Sequence, residues 1–539
     1  MTMKPVLSTE QVLDLEDIIE AQGTSKAELM EHAGEFTASV VAKHNPKRVL
    51  VMTGFGNNGG DGWVAADILQ HKGIKVDVVT PIEPNEIKSP LARHVARRTA
   101  GRDVDIHVGP SRDELAGFIE NADVVVDALL GTGFKGSLRP PFTIWIETLN
   151  DLQPYTVSVD IPSGLDSDTG LVAEMCVHAD ETATMLAPKI GLYSADGPEY
   201  TGEIICGELY EHLDDVINDV DHAAEIIESA DLLDCIQELP ANVNKYTRGS
   251  VLVVAGSASY PGAAILAAKA AARSGAGYVA VAAPDSCANL IRMSLPSVPV
   301  IAVPSDGSGA FGSAAKAKIC EIAPKYDCVL CGPGMTTSAG CLQVVTALLE
   351  LNVPLVLDAD GLNCLSRLAI GGIDEVPEMY RREAPLILTP HYGELSRLVG
   401  GDPVNDLSSA IEASQRILWA CGSENMVIVA KGPTTAVVGV EQVLLPMAGP
   451  ASLATAGSGD VLSGIMAANV ATSHNEVSSW ELLASYAVAV HSYTGYVAAS
   501  EMGDRSVIAT DLIDCIGFAM QQVENDALQD EGVPDSEGA

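Results

Sequence analysis

Short, β-branched apolar runs alternate with amphipathic stretches along the first half of the chain. Four of these runs predict strands, each ending at a turn that contains Gly, Pro or Ser: Arg48–Thr53, Lys75–Thr80, Asp123–Leu129 and Tyr155–Ile161. Continuous apolar runs of this kind are typical of parallel strands that are buried on both faces and joined by crossover helices. Ligands collect at the carboxyl ends of such strands, so we expect functional residues directly after them.

The second half shows the same alternation with different sequences. An Ala-rich helix between Val251–Ala255 and Tyr278–Ala283 predicts one βαβ unit. Further strands are expected at Cys328–Cys331, Pro354–Asp358, Pro385–Thr389 and Met426–Ala430, and long apolar helices at about Ser458–Ala471 and Trp480–Ser500. Both halves therefore predict an α/β fold of three layers, with helices on both faces of a parallel sheet.

An acidic stretch separates the two halves. Between Glu208 and Glu238 the chain has eleven Asp and Glu residues and no Lys or Arg, which is typical of a solvated linker. We expect this segment to contribute to neither core. The predicted organisation is a domain at 1–210, a linker at 211–240, a second domain at 241–525 and an acidic, disordered tail at 526–539.

The overall charge excludes two classes of function. Asp and Glu number 72 against 31 Lys and Arg, which gives a formal charge of −41. Such a chain lacks the basic surface that nucleic acids and anionic membranes attract, so we expect neither as a partner. The acidity fits either a strongly solvated surface or adaptation to a salty cytoplasm, and the sequence does not choose between them.

The sequence predicts a cytoplasmic protein with free thiols. No apolar run of about 18 residues is free of charges and helix breakers, and the N-terminus lacks the apolar core of a signal peptide. Eleven cysteines are too sparse for a disulfide framework in a chain of 539 residues. Cys328 and Cys331 have CxxC spacing without a second pair or a His partner, so we expect structural thiols there rather than a metal or redox site.

A first cluster of candidate functional residues follows three predicted strands. The segment Gly54–Gly62, with the sequence GFGNNGGDG, precedes a helical pattern, where glycines permit close approach and free N–H groups suit a phosphate. It is not a P-loop, because no Lys-Ser/Thr pair closes it. Asp127 and Asp160 come at the ends of the other two strands, and a carboxylate such as Asp160 can take and return a proton. Asn58, Asp127 and Ser163 offer only oxygen ligands, which suit a hard cation.

These motifs resemble the NAD(P)H-hydrate epimerase family over roughly residues 1–210. The family pattern NNGGDG stands at Asn57–Gly62, GTGFKG at Gly131–Gly136, and VDIPSGLD at Val159–Asp166. The resemblance implies a Rossmann-like domain that interconverts the R and S forms of hydrated NADH and NADPH. It implies substrate contacts at Asn57, Asn58, Gly59, Gly60, Asp61, Gly131, Thr132, Gly133, Phe134, Lys135, Gly136, Ser137 and Asp160.

The same resemblance implies a potassium ion near Asn58, Asp127 and Ser163. Asp160 is the candidate catalytic acid/base. Lys135 is a candidate to hold the substrate's diphosphate or to help in proton transfer, and the alternative is an exposed loop lysine. Phe55 departs from the family, which often has Asn between the two glycines, but the NNGGDG segment is intact.

A second cluster lies in the other half. The segment Gly457-Ser458-Gly459-Asp460 precedes an apolar helix, where N–H groups form an anion hole and Asp460 can activate a hydroxyl. Five further Gly-, Pro- or Asp-containing turns follow β-like runs: Gly256–Ala264, Gly332–Met335, Asp358–Asn363, Thr389–Glu394 and Lys431–Thr435. Five such turns at one sheet edge indicate a ligand site.

This second set resembles the ADP- or ATP-dependent NAD(P)H-hydrate dehydratase family, of ribokinase-like fold, over roughly residues 225–525. The resemblance implies contacts with the hydrate at Ala263, Gly334, His391 and Asp460, the last being catalytic. It implies nucleotide contacts at Lys431, Gly432, Pro433, Thr434, Thr435 and Gly459, with magnesium accompanying ADP or ATP. Ser458, Tyr392 and the pair Met335-Thr336 depart from frequent family residues without removing a proposed functional side chain.

Together the two resemblances imply a bifunctional NAD(P)H-hydrate repair enzyme, an isomerase fused to a lyase. Its partners would be the hydrates NADHX and NADPHX and a nucleotide, which the resemblance implies is ADP. We also expect a homo-oligomer. Phosphoryl transfer to the hydroxyl, with Asp460 taking the proton, would create a good leaving group. Two alternatives stay open: a ribokinase-like kinase acting on a vitamin alcohol, and a non-catalytic nucleotide-binding scaffold.

Overall fold

The computed structural model describes residues 3–236, 239, 242–369, 382–474 and 477–530. The chain divides into two compact units, one of Lys4–Ala224 and the other of Glu225–Ala539 with Met1–Met3. Each unit contains a central sheet made mainly of parallel strands.

The sheet of the first unit is parallel. Strands β1–β8 are Lys4–Val6, Arg48–Thr53, Lys75–Thr80, Asp105–Val108, Val124–Ala128, Thr156–Val159, Glu181–Met185 and Glu203–Gly207. Strands β2–β8 form a sheet in the order β4-β3-β2-β5-β6-β7-β8, in which neighbouring strands pair in parallel. From β2 the chain continues to β3 and β4 on one side and then returns to β5 on the other. The carboxyl ends of β2 and β5 therefore form the switch point at which open α/β sheets bind ligands.

Helices cover both faces of this sheet. Helices α1–α8 are Thr9–Ala21, Lys26–Ala42, Asn57–His71, Pro90–Ala100, Arg112–Glu120, Phe142–Leu152, Gly197–Tyr200 and Leu213–Val216. Side chains alternate along β2, as a strand requires. Val49 and Val51 pack with α2, α3 and α4, whereas Leu50 and Met52 pack with α5 and α6. The three-layer α/β class predicted from the sequence is confirmed in this unit.

The sheet of the second unit contains β9–β18, which are Ala224–Ile226, Ser250–Val254, Tyr278–Pro284, Val300–Val303, Cys328–Cys331, Leu355–Leu357, Leu386–Leu388, Met426–Ala430, Ala436–Val438 and Val443–Leu445. Their order is β9-β18-β17-β16-β15-β14-β13-β10-β11-β12. The strands pair in parallel except at β17, which is antiparallel to both neighbours. A second switch point lies between β10 and β13, because the chain builds β11 and β12 first and then crosses to β13.

Helices also cover the sheet of the second unit. Helices α9–α18 are Pro261–Arg273, Asp285–Ser294, Ala315–Ile322, Ala339–Glu350, Asp360–Leu368, Tyr392–Leu398, Leu407–Cys421, Ser458–Thr472, Trp480–Met502 and Ala509–Asp530. Val251 and Val253 pack with α9, α16, α17 and α18 on one face. The intervening Leu252 and Val254 are also fully buried, and α12–α15 pack one against the next, with α15 on β16 and β17.

All ten predicted strands are present. Arg48–Thr53, Lys75–Thr80, Cys328–Cys331 and Met426–Ala430 have the predicted bounds. The others are shorter or longer at one or both ends, and the two long helices begin at the predicted Ser458 and Trp480. The cysteines of the described chain are free, and Cys328 and Cys331 are both buried on β13, as predicted for structural thiols.

The acidic segment differs from the prediction. Leu213, Val216, Ile217 and Val220 are buried in an apolar cluster of the first unit. Ile227, Leu232 and Cys235 are buried in the main core of the second unit, and β9 pairs with β18. The prediction of a linker that belongs to neither core is therefore wrong. The carboxylates face solvent while the apolar residues between them pack, which a count of charges does not reveal.

The predicted acidic tail also begins later than expected. Helix α18 continues through residue 526 to Asp530, and Ala527 is fully buried. The rest of the predicted tail, 531–539, lies outside the described residues. No helix in the described chain has the length and apolarity needed to cross a membrane.

Candidate active sites

A cavity of about 960 Å³ opens at the switch point of the first unit. It is bounded by the ends of β2, β5, β6 and β7 and by helices α1 and α2. Among the predicted substrate contacts, those that line it are Asn57, Asn58, Asp61, Gly131, Thr132, Gly133, Phe134, Lys135, Gly136, Ser137 and Asp160. The three motifs thus meet in one place, as expected for parallel strand ends.

Glycines allow the loops at this switch point to approach closely. A Cβ at Gly54 would lie 1.7 Å from the Leu129 carbonyl oxygen, so only Gly fits there. Gly59 and Gly60 do not line the cavity. A Cβ would lie 2.5 Å from the Gly54 oxygen at Gly59 and 2.7 Å from Met30 at Gly60, so close packing requires glycine at both positions.

The three predicted cation ligands are connected by hydrogen bonds, with Asn58 in the cavity lining and Asp127 and Ser163 buried behind it. The buried Asp127 carboxylate accepts hydrogen bonds from Ser163 Oγ (2.6 Å), Ser163 N (2.8 Å) and Ser158 Oγ (2.9 Å). Asn58 donates through Nδ2 to the Leu130 carbonyl at 2.9 Å. Its Oδ1 is buried without a hydrogen-bond partner in the described chain, so this oxygen is available to a cation. Burial raises the pKa of Asp127, and the Ser163 hydrogen bonds oppose that rise only in part.

Asp160 forms an ion pair that the sequence analysis did not identify. Its Oδ1 accepts hydrogen bonds from the Lys189 ammonium and, at 3.3 Å each, from Thr184 Oγ1 and Met185 N. Lys189 is 1 % exposed and follows β7, the strand next to β6. Asp160 adopts a left-handed backbone, with φ 67°, a strained conformation of the kind found at functional sites. The sequence signal for this ion pair was Lys189 itself, a lysine in the turn that follows the buried strand β7.

Two further carboxyl groups face the same cavity. Burial raises the pKa of Asp61 well above its usual value, and the neighbouring Asp160 and Glu16 add to the rise. Burial also raises the pKa of Glu16, although Lys26 opposes this rise. Glu16 comes from α1, which carries none of the motifs, so the sequence alone offered no signal for it.

The cations at the cavity differ in how they are paired. Lys135 is 64 % exposed and donates to Asp168 at 3.0 Å. Lys26 pairs with Asp17 at 2.7 Å, and Lys189 pairs with Asp160. Arg139 lines the cavity and has no carboxylate partner in the described chain. Its guanidinium is therefore the cation of this wall that is free to bind an anion.

In the second unit, the predicted turns meet at the ends of β13–β16 and at the first turn of α16. A Cβ at Gly332 would lie 1.8 Å from the Asp358 carbonyl oxygen, and its φ is 132°. A Cβ at Gly334 would lie 2.9 Å from the Ala263 Cβ, which brings these two predicted hydrate contacts together. Glycine is required at both positions, because the turns after β13 touch their neighbours.

An ion pair also organises the second site. Lys431, after β16, donates to Asp358 Oδ1 at 2.8 Å, and Thr389 Oγ1 donates to the same oxygen at 2.8 Å. Burial opposes the charge of Lys431, but the carboxylates of Asp358, Glu394 and Asp460 together outweigh it, so the pKa of Lys431 is raised. A Cβ at Gly459 would lie 3.3 Å from Lys431 Nζ. The ammonium therefore stands beside the N-terminus of α16, where an anion is favoured.

Asp460 lies on the first turn of α16 next to this pair. Burial raises its pKa to about 7, and the negative charge of Asp358 adds to the rise while Lys431 opposes it. A carboxyl group that titrates near neutral pH is suited to proton transfer.

The remaining predicted contacts surround this centre. His391 caps α14, with Nδ1 accepting from Gly393 N at 3.0 Å, and lies beside Lys431 in a parallel β-bridge. Its side chain is 55 % exposed. Lys431, Gly432, Pro433, Thr434 and Thr435 form the turn between β16 and β17. Tyr392 packs on this turn, since a Cβ at Gly432 would lie 2.3 Å from the tyrosine hydroxyl.

A buried histidine was also missed. His491 on α17 lies 3.0 Å from Ser458 Oγ through its Nε2. Burial lowers the pKa of His491 to about 4, and the nearby Lys431 contributes. An imidazole within a helix of apolar pattern gave no sign of this contact.

Two protein families match separate parts of the chain. Residues 26–191 match the family described as YjeF-related protein N-terminus. Residues 251–517 match the family described as NAD(P)H-hydrate dehydratase. Each match contains the motif residues of one of the two sites.

Full-length relatives carry both parts. A bifunctional NAD(P)H-hydrate repair enzyme of Salinibacter ruber is 35% identical, over 92% of each chain. Its counterpart in Hyperthermus butylicus is 34% identical, over 92% of this chain and 89% of that one. The structure of an ADP/ATP-dependent NAD(P)H-hydrate dehydratase of Bacillus subtilis, co-crystallised with ATP/Mg²⁺, matches 54% of this chain and 96% of its own with 26% identity and a TM-score of 0.45. The chain belongs to the family of bifunctional NAD(P)H-hydrate repair enzymes.

Proposed function

We propose that this protein repairs hydrated NADH and NADPH in two steps. The first unit interconverts the R and S hydrates, and the second removes water from the S hydrate to restore the dihydronicotinamide. The observation that carries this proposal is that one chain holds a paired carboxylate, Asp160, in a dinucleotide-sized cavity and a near-neutral carboxyl, Asp460, beside a phosphate-binding helix terminus. Full-length similarity to named repair enzymes supports the same conclusion.

In the first unit, Asp160 is the acid/base that transfers a proton at the hydroxyl-bearing carbon next to the ring nitrogen. The Lys189 ammonium holds the Asp160 carboxylate in place and stabilises its negative charge. Loops 54–62 and 131–137 bind the substrate around it. Arg139, rather than the Asp168-paired Lys135, supplies the free positive charge for the diphosphate.

The donor set behind the cavity fits a potassium ion. The partnerless Asn58 Oδ1, the Asp127 carboxylate, Ser163 Oγ and the Leu130 carbonyl are all oxygen and carry one formal charge. Divalent cations recruit more carboxylates, and transition metals prefer nitrogen or sulfur. A monovalent cation there would fix the loops after β2 and β5 and offset the charge of the diphosphate.

In the second unit, Asp460 takes the proton of the substrate hydroxyl while a phosphoryl group is transferred to its oxygen. The phosphate ester so formed is a good leaving group: the carbon–oxygen bond breaks, the lone pair of the ring nitrogen forms a carbon–nitrogen double bond, and phosphate leaves. Loss of a proton from the neighbouring ring carbon then restores the dihydronicotinamide. The N–H groups at Ser458–Asp460 and the Lys431 ammonium hold the transferred group. ADP is the proposed donor, with AMP as product, and magnesium would neutralise the phosphate charge.

The test uses the full chain with mixed hydrate epimers, potassium, magnesium and either ADP or ATP. Complete return of nicotinamide absorbance, faster than spontaneous epimerisation allows, is the expected result. A phosphorylated alcohol that accumulates would favour the kinase alternative, and no change of either substrate would favour the scaffold. Cytoplasmic location and homo-oligomerisation remain predictions, and sedimentation of the full chain tests the second.

A further inference from the structure

Three carboxyl groups enter the cavity of the first unit from three different elements. Asp160 follows β6, Asp61 lies on the first half of α3 and Glu16 lies on α1. Two buried or half-buried cations face them, Lys189 after β7 and Lys26 on α2. The three carboxyl groups differ in whether one of these cations lies beside them.

Asp160 and Glu16 each have a cation beside them. The Lys189 ammonium donates to Asp160 directly. Lys26 Nζ lies 3.9 Å from Glu16 Oε2, and both side chains are about one third exposed. Both carboxyl groups therefore have a positive charge close by.

Asp61 has no such partner. In the described chain its carboxyl group makes neither a hydrogen bond nor an ion pair, although it lines the cavity. Asp160 and Glu16 raise its pKa, and the only cation that opposes them is Lys189, which is already bound to Asp160. One carboxyl group of the site is paired with a lysine and the other has no cation partner in the described chain, and two acids in such different surroundings are suited to opposite roles.

We propose that Asp61 is the acid and Asp160 the base of the epimerase site. This inference rests on the proposed function of the first unit and deepens it. Asp61 enters as a neutral carboxylic acid from α3, and Asp160 enters as a lysine-paired carboxylate from the neighbouring strand end. The two groups thus reach the hydroxyl-bearing carbon from different walls of the cavity.

The chemistry balances with water as the only co-reactant. Asp61 gives its proton to the hydroxyl, the carbon–oxygen bond breaks, water leaves, and the lone pair of the ring nitrogen forms a carbon–nitrogen double bond. A water molecule then adds to the opposite face, the electron pair returns to nitrogen, and Asp160 takes the proton of the added water. Proton exchange through water in the open cavity restores Asp61 for the next turnover.

The decisive variant is Asp61→Asn in the full chain, assayed as the rate of R-to-S conversion of NADPH hydrate. We expect kcat to fall by about 10²–10⁴-fold, the usual effect of losing a general acid, with KM within about threefold. Asp61→Glu should recover part of the rate. Dehydration of the S hydrate by the other unit, unchanged in both variants, shows that the chain is intact.

The pH profile separates the acid role from a structural one. The acid works only when protonated, so kcat/KM of the parent should decline as pH rises through the elevated pKa of Asp61. The residual activity of Asp61→Asn should lack this alkaline decline, whereas Glu16→Gln should keep it. An unchanged rate in Asp61→Asn, or loss of the alkaline decline in Glu16→Gln instead, would overturn the inference. A parent chain that epimerises no faster than the spontaneous reaction would instead overturn the proposed function.

Discussion

Replacing Asp460 with Asn should abolish dehydration and at the same time stabilise the second unit. The carboxyl group lies beside Asp358 in a site that withholds water, and its pKa is raised to about 7. The ordinary value is 3.8. The folded chain therefore holds this proton more tightly than the unfolded chain does, and the charged form that catalysis needs is the unfavourable one.

The size of the effect follows from the shift. A group whose folded pKa is raised contributes its full stability below the unfolded value, and that contribution is lost as pH rises through the folded value. At about 1.36 kcal/mol per pKa unit, the ionised carboxylate costs roughly 4 kcal/mol at pH 8 and almost nothing at pH 4. Asn carries no charge, so Asp460→Asn should be more stable than the parent by roughly 2–4 kcal/mol at pH 8, once solvent screening is allowed for, with the difference shrinking as pH falls from 7 to 4.

Hydrogen exchange of the slowest amides in α16 measures this difference within the second unit alone. Parent and variant are compared at the same pH, and Asp514→Asn, at a 78 % exposed position, serves as a matched control that should change stability by less than about 0.5 kcal/mol. Dehydration by the parent should rise with pH through about 7, because Asp460 acts as a base. Equal protection of parent and Asp460→Asn at pH 8, or near-normal dehydration by the variant, would refute the reasoning.

Three further predictions concern the first unit and the boundary between the two units. Asp127→Ala should raise KM at the epimerase site and remove any difference between potassium and lithium buffers of equal ionic strength; a parent that is equally active in both would show that no functional cation binds there. Arg139→Gln should raise KM for the hydrate about tenfold with little change in kcat, whereas Lys135→Gln, which loses a lysine already paired with Asp168, should change it less; the reverse ranking would contradict the assignment. Chains cut after Ala223 should yield two soluble pieces with one activity each, because the cut keeps both halves of the acidic segment with their cores, and failure of both pieces to fold would contradict the modular reading.

The sequence alone was sufficient for the α/β class and for the strands that form the centre of each sheet. Strands such as Arg48–Thr53 and Met426–Ala430 are buried on both faces, so their whole length is apolar and their bounds can be read directly. The sequence analysis did not predict β1, β4, β7, β8, β9, β12, β17 and β18. Six of these have only three or four residues, which carry too little pattern, and β7 and β8 include polar residues that interrupt an apolar run. The acidic segment was misjudged for a related reason: its apolar residues pack in short turns among many charges.

The sequence also located most of the residues around each site, because parallel strands bring the turns after them to one edge. Only the tertiary structure decided how those residues are paired. Lys189 meets Asp160 across 29 positions, Lys431 meets Asp358 across 73, and Lys135 turns to Asp168 across 33. Such pairings depend on which strand lies next to which and on where a helix from elsewhere covers the edge. The protonation state of each carboxyl group depends in turn on burial and on neighbouring charges, which are properties of the folded chain and not of its local sequence.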